Sequence, residues 1–455
     1  MKKILLRTLV LVMSISIGAV FSLGSCAPAV EEPVVEEPVV EEPVVEEGEE
    51  QVQEIEFTTV VPPDHPIGVN WQKVADDYME ENPNVKIIFN YIAYEDYFTQ
   101  ISLRVLSGNP PDIADHGYST SEFVDADALV EMGPYLEESG WEEDDFWQGL
   151  WDITVYDGKQ YGVPYTLDTR TFQYNKDMFE EAGVDIPETW DDILEIAPTI
   201  KEATGAYAIG LDGTPPAGHV WQFITPIVFS NGGEWITQND EGLWEANASS
   251  PEVLEAVEIA KNLVDSGAVI PSWPTNDNHL NQTLLLQEQI ASLIVGPWAY
   301  SFYDDERAAG TYDFEIDQAL IPKQKEHASV MGGWSWYVFK SDQYKEDVCW
   351  DIINYFLQPE NIAKGWCDSL PPTKAGMDVG VYSEDPRYDW VEKALENSKF
   401  PVQPVSGFFE MLNLISEYSM NAILGEKPIE QAMQELDVKL QKVLDQKENA
   451  LILKE

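Results

Sequence analysis

Between residues 55 and 114 the apolar pattern runs strand, helix, strand, helix, strand, and that order constrains the chain more than any other feature. Ile55 to Val61 is a short apolar run with Thr, a strand signal. Trp71, Val74, Ala75, Tyr78 and Met79 follow at helical spacing, and Asn82-Pro83 ends that helix. Val85 to Tyr91 reads as a second strand. Tyr97, Phe98, Ile101 and Val105 mark a second helix, stopped by Gly108 and Pro110-Pro111, and Ile113-Ala114 opens a third strand. This order implies an α/β fold with a mostly parallel sheet covered by helices on both faces. Ligands of such sheets sit at the carboxyl ends of the strands. Those ends carry Pro63, Asp64 and His65 after the first strand, and His116, Gly117 and Tyr118 after the third.

A second block of the same character follows. Val155-Tyr156 and Gln160-Tyr161 flank Asp157-Gly158, a hairpin signal. The chain then passes through Pro164-Tyr165-Thr166 into new α/β material. Thr189 with Asp192 forms a capping box before a helix that closes near Gly205. Ser250 caps a helix to Ser266, with Val253, Ala256, Val257, Ala260 and Val264 on one face and Gly267 at its end. Ile290 to Val295 and Gly333 to Lys340 read as strands. From about Glu384 the chain reads as helical. A length of 455 residues suits two or three domains.

Residues 1–50 stand apart from this pattern. Lys2, Lys3 and Arg7 precede an apolar or small stretch from Thr8 to Gly24, short of the roughly 20 apolar residues of a spanning helix. It ends in Leu23-Gly24-Ser25-Cys26, which resembles the lipobox of bacterial lipoproteins and marks Cys26 for lipidation after removal of a signal peptide over residues 1–25. Residues 26–50 then repeat Glu-Glu-Pro-Val-Val at 31–35, 36–40 and 41–45. Pro blocks helix and like charges extend the chain, so this segment reads as a disordered acidic tether. At about 3.1 Å per residue it reaches roughly 80 Å. The expected location is extracytoplasmic, held to the membrane by lipid alone.

Charge and motif content exclude several functions. With 26 Lys and Arg against 82 Asp and Glu, the net charge is −56, which opposes binding to nucleic acid or to an anionic lipid surface. Three Cys and five His leave no disulfide framework and no His/Cys metal cluster, and no cofactor is expected. The sequence holds no G-x-x-x-x-G-K-[ST] loop, no H-E-x-x-H helix and no G-x-S-x-G elbow. A surface adhesin would show repeats after residue 50, and none occurs. A lipid-anchored glycoside hydrolase remains an alternative, because carboxylates are plentiful and its chemistry needs only two, about 5–9.5 Å apart.

Tyr161-Gly162-Val163-Pro164, Tyr174-Asn175-Lys176-Asp177, Ala182-Gly183, Pro187 and Thr189-Trp190-Asp191-Asp192 occur in that order. Gly296-Pro297-Trp298-Ala299-Tyr300, Gly332-Gly333-Trp334 and Leu370-Pro371-Pro372 follow. Collinear over residues 53–445, these pieces resemble the extracellular solute-binding proteins of family 1, sugar receptors of ABC importers, including the maltose-binding protein. The resemblance implies a two-lobed periplasmic-binding-protein fold of type II-like topology with the ligand between the lobes. Residues 51–165 and 326–371 would form lobe 1, and 166–325 and 372–455 lobe 2. It also implies a monomer that takes a sugar or oligosaccharide and delivers it to ABC permease subunits in the membrane. An acidic cleft also suits a cationic ligand such as a polyamine, but the abundance of Trp and the resemblance favour a neutral sugar.

Candidate site residues follow from residue chemistry and from this resemblance. A sugar offers an apolar C–H face to aromatics and hydroxyls to carboxylates, amides and Arg. Fifteen Trp supply platforms. Trp298 follows Gly-Pro directly after a strand, and Tyr300 lies in the same signature. Trp334 follows two glycines, whereas Trp71 and Trp190 sit on apolar helix faces and read as core. The resemblance places a sugar-contacting acid at Asp168, with Arg170 beside it. A surface salt bridge between Asp168 and Arg170 is the alternative, worth little by itself. His65, His116 and Tyr118 stand at first-lobe strand ends. Trp221, after Asp212-Gly213-Thr214, and Phe408 with Phe409 complete the candidates. Relatives carry charged groups after the third strand where this chain has His116-Gly117-Tyr118-Ser119, so maltose is not assigned. Cys349 and Cys367, 18 residues apart, are a possible disulfide in an oxidising location.

Overall fold

The computed structural model describes residues 52–117, 121–216, 218–364, 369–402 and 405–449. These lie within the second of two units into which the chain divides, Glu50–Glu455. The signal peptide, Cys26, the acidic tether, Tyr118 and Cys367 lie outside the described residues.

The alternation read from the sequence is present as β1 (Gln53–Thr59), α1 (Pro66–Glu81), β2 (Val85–Tyr91), α2 (Tyr94–Leu106) and β3 (Ile113–His116). The later strands that build the sheets are β4 (Gly162–Asp168), β5 (Thr171–Asn175), β6 (Ser292–Val295), β7 (Ile316–Ala319) and β8 (Gly332–Val338). The longer helices after α2 are α3 (Trp190–Thr204), α4 (Pro251–Asp265), α5 (Asn278–Leu286), α6 (Ala299–Ala309), α7 (Gln343–Phe356), α8 (Arg387–Leu395), α9 (Phe408–Ile423) and α10 (Ile429–Lys447). At α3 the capping box forms, with the Asp192 amide donating to Thr189 Oγ1 at 3.1 Å and the Thr189 amide to Asp192 Oδ2 at 2.8 Å. Ser250 occupies the N-cap of α4, but its side chain makes no capping bond.

Two sheets organise two lobes. The first has the order β2-β1-β3-β8-β4; β1 pairs in parallel with β2 and β3, and β8 runs antiparallel to β3 and β4. The second has the order β6-β5-β7, with β5 antiparallel to both neighbours. Parallel bridges at Ile209–Val269 and Gly210–Leu293 extend it. Burial of Phe57, Trp71 and Trp336 builds the first core, with the Trp71 and Trp336 rings 5.6 Å apart and edge-on. Trp190, Trp235 and the apolar face of α4 build the second, closed by Met411 and Leu412 of α9 and Met433 and Leu436 of α10. Tyr388 and Val391 of α8 pack in the first core.

Between the sheets three stretches run side by side. Thr169 Oγ1 donates to Ser329 Oγ at 2.9 Å and shares a 2.6 Å bond with Ser398 Oγ, while 329–330 pairs in parallel with 398–399. Short polar side chains tie these crossings without bulk, which suits a hinge. Among the described residues no helix is long and apolar enough to cross a membrane.

At the end of β3, Asp115 is fully buried. Thr59 donates to its Oδ2 at 2.6 Å and the Tyr165 phenol at 3.3 Å. Burial pushes this carboxyl from the ordinary 3.8 up to about 6, against the pull of those donors. The folded chain therefore keeps a proton between about pH 4 and 6 that the unfolded chain has lost, so this group's contribution to stability falls as pH rises through that window. Asp115→Asn is expected to raise the melting temperature above wild type at pH 7, with the difference closing near pH 4. An equal difference at both pH values, by differential scanning fluorimetry, would contradict this account.

Candidate ligand-binding site

A cavity of about 250 Å³ lies where the carboxyl end of β1, the strand β4 and the start of β8 meet the turn after β6. Four of the residues singled out in the sequence line it: His65, Asp168, Trp298 and Trp334.

Trp298 stands at the N-cap of α6. Its indole folds back over its own turn, so a Cβ at Gly296 would sit 2.0 Å from a ring carbon; only glycine leaves the ring that position. The indole Nε1 donates to Asn278 Oδ1 of α5 at 3.2 Å. The Arg170 guanidinium lies 4.9 Å from the ring centroid, within cation–π reach.

Arg170 in turn donates through Nη1 to Asp168 and, at 3.1 Å, to the Val330 carbonyl. The two side chains are 8% and 11% exposed. The ion pair considered for the surface therefore forms, but inside the wall of the cavity, where removing either partner strands a charge. Gly332 makes the geometry possible: its amide bonds the Asp168 carboxylate, and a Cβ there would lie 2.7 Å from Asp168 Oδ1 and 3.2 Å from Arg170 Nη1. Burial pushes the Asp168 carboxyl up, and Arg170 and the Gly332 amide pull it back.

His65 caps α1, its Nδ1 accepting the Ile67 amide at 3.3 Å. Burial holds its imidazole below the ordinary value. The neutral ring then carries its proton on Nε2, a donor at the cavity. Trp334 is half-buried and stacks on Phe98 at 6.0 Å, with 17° between planes. Strand alternation puts Trp334 and Trp336 on one face of β8. A register shift between Trp334 and Ser335 and the direction of the strand separate them, leaving Trp334 at the cavity and Trp336 in the core.

Other candidates fall elsewhere. His116 is buried among Phe98, Phe123 and Tyr337, with the Phe98 ring at 5.0 Å, and is not among the lining residues. Trp221 and Phe408 pack edge-on in the second core at 6.1 Å, and Trp221 Nε1 donates to the Met331 carbonyl at 3.2 Å. Tyr300 is buried, its hydroxyl donating to Gln318 Oε1 at 2.7 Å, and it faces a different cavity. Phe409 meets Phe98 at 5.0 Å, an aromatic contact from α9 to α2. Cys349 is buried in the first core, while its possible partner lies outside the described residues.

The sequence reading passed over Tyr165, Thr166 and Ser369, which also line the cavity. Tyr165 and Thr166 were visible as a crossing between lobes, and a crossing necessarily borders the cleft; Ser369 carries no such signal. Among the described residues lining the cavity Asp168 is the one carboxylate.

Residues 62–363 match the sequence model of bacterial extracellular solute-binding proteins. A binding protein of Brucella abortus is 25% identical over 371 residues, 79% of this chain and 86% of its own. A maltooligosaccharide ABC transporter solute-binding lipoprotein of Streptococcus pneumoniae is 22% identical over 389 residues, 83% of this chain and 86% of its own. Among solved structures, the GacH receptor of Streptomyces glaucescens, studied unliganded and with acarbose, superposes with a TM-score of 0.75 at 19% identity, covering 86% of this chain and 98% of that one.

Proposed function

The chain belongs to the bacterial extracellular solute-binding protein family, whose members bind solutes and are not enzymes, and from that premise we propose a sugar receptor of an ABC importer. The observation that carries the ligand class is the joining in one cavity of two Trp platforms and a carboxylate, whose charge is compensated by Arg170 outside the lining. Trp298 and Trp334 offer apolar faces for sugar C–H groups. Asp168 accepts hydroxyl protons while Arg170 balances its charge. A polyamine would want an unpaired carboxylate, and the one carboxylate of the lining is already paired. A glycosidase would need a second carboxylate across the scissile bond. The relatives' names agree with this class: maltooligosaccharide for the pneumococcal lipoprotein and diacetylchitobiose for a Streptomyces coelicolor binding protein.

In this reading the ligand bridges the lobes. His65 and Trp334 meet it from the first and Trp298 from the second, and their joint contact shifts an open–closed equilibrium toward closure. The lobe boundaries expected from the resemblance, 51–165 with 326–371 and 166–325 with 372–455, are kept except for α8, which packs in the first core and goes with the first lobe. The closed receptor, a monomer, docks on membrane permease subunits. The signal peptide ends before Cys26, whose lipid holds the protein outside the cytoplasmic membrane with the tether as spacer.

A thermal-shift screen against monosaccharides, oligosaccharides, amino acids and polyamines tests the class. A ligand at 100 times its Kd should add about 2.7 kcal/mol. The expected result is a shift with a sugar that is recovered intact by chromatography. A shift with a polyamine alone, or breakdown of the sugar, would overturn the reading.

A further inference from the structure

A second cavity, of about 270 Å³, lies between α6, β5, β7 and α8 and shares no lining residue with the cleft. Two buried polar side chains in its lining, 3% and 1% exposed, lack partners among the described residues: the Tyr303 hydroxyl and the Gln173 Oε1. Buried polar atoms are nearly always satisfied, so a pair of orphans beside one cavity marks a place that something else completes. Each charged group around it has a partner, ionic for Arg387 and Asp304 and neutral for Arg307 and Asp317. Arg387 donates to both oxygens of Asp304, at 2.9 and 2.7 Å, and to Asp385. Arg307 donates to the Phe314 carbonyl at 2.7 Å and lies over the Tyr312 ring. Asp317 accepts the Gln318 amide at 2.8 Å and the Tyr174 hydroxyl at 3.3 Å.

The lining thus carries two guanidinium groups, Arg307 and Arg387, against two carboxylates, Asp304 and Asp317, and offers no excess of either sign to a charged ligand. What stays unpartnered is one neutral acceptor and one hydroxyl, which burial keeps protonated, beside the flat walls of Tyr312 and Trp390. We infer that this cavity is a second binding site, for a small neutral polyhydroxylated molecule of about one ring's size. Its hydroxyls meet Gln173 and Tyr303 and its C–H face lies on the aromatic wall. The inference is independent of what the cleft binds.

The probe is myo-inositol, and the readout is the methyl resonance of Ile316, which lines this cavity and not the cleft, assigned through Ile316→Val. In the intact protein and in Trp298→Ala, titration is expected to move that resonance saturably and with the same Kd. Tyr303→Phe and Gln173→Leu should each weaken the Kd at least about tenfold. A resonance that never moves would mean that the cavity holds only water, and the proposal falls. It falls equally if both cavity variants bind as the parent does, or if Trp298→Ala alone abolishes the shift. The two variants guard against either one failing to fold.

Discussion

Trp298→Ala is expected to weaken sugar binding by about 1–3 kcal/mol, roughly 5- to 150-fold in Kd, the order for losing a large aromatic contact surface. The figure concerns the ring face at the cavity and not the fold. Trp298 is half-buried and joins the second core from its margin. Its replacement also leaves Asn278 Oδ1 with Gln282 Nε2 as donor in place of two donors, and removes the ring from beside the Arg170 guanidinium. Trp298→Phe separates these effects, because it keeps an aromatic face while losing the indole N–H and the smaller part of the ring surface. Calorimetric titration with the sugar identified by thermal shift should place Phe near wild type and Ala far below it. An unchanged affinity in the Ala variant would remove Trp298 from the binding surface.

The residues legible in the sequence were those whose position depends on local order. His65, Asp168 and Trp298 each lie just before or after a strand or helix boundary, and the strand–helix alternation alone fixes which end of the sheet such residues occupy. Misreadings arose where direction mattered as well as position. Tyr300 is two residues beyond Trp298, and at about 100° per residue that turns its side chain to the other side of α6, toward Gln318 and α8. His116 ends a strand as expected, yet its ring enters the aromatic layer under α2. Trp221 and Phe408 are far apart in the sequence and find each other in the second core, a pairing no single segment displays. The pair of Asp168 and Arg170 was foreseen as a contact, but its burial comes from Val330 and Gly332, contributed by a stretch some 160 residues later.

That burial sets the largest expected effect. Arg170→Met keeps the length of the side chain and removes its charge, so at pH 7 Asp168 is left as an uncompensated buried carboxylate. The expected loss of stability is about 3–5 kcal/mol. Without Arg170 the Asp168 carboxyl moves further above the ordinary 3.8, because burial then acts against the Gly332 amide alone. The folded variant therefore holds a proton that the unfolded chain gives up as pH rises. Its deficit is smallest below about pH 4, where both states are protonated, and grows as pH rises until Asp168 ionises in the folded state. Wild type, with the pair intact, should show a weaker dependence over the same range. The double variant Arg170→Met/Asp168→Asn removes both charges and should regain most of the stability at pH 7 while still binding sugar poorly, since the carboxylate acceptor is gone. Scanning calorimetry from pH 4 to 8 reads the first outcome and titration calorimetry the second. A deficit in Arg170→Met that is the same at both ends of that range, or that persists in the double variant, would show that the arginine stabilises the cavity wall by packing its stem and not by compensating the Asp168 charge.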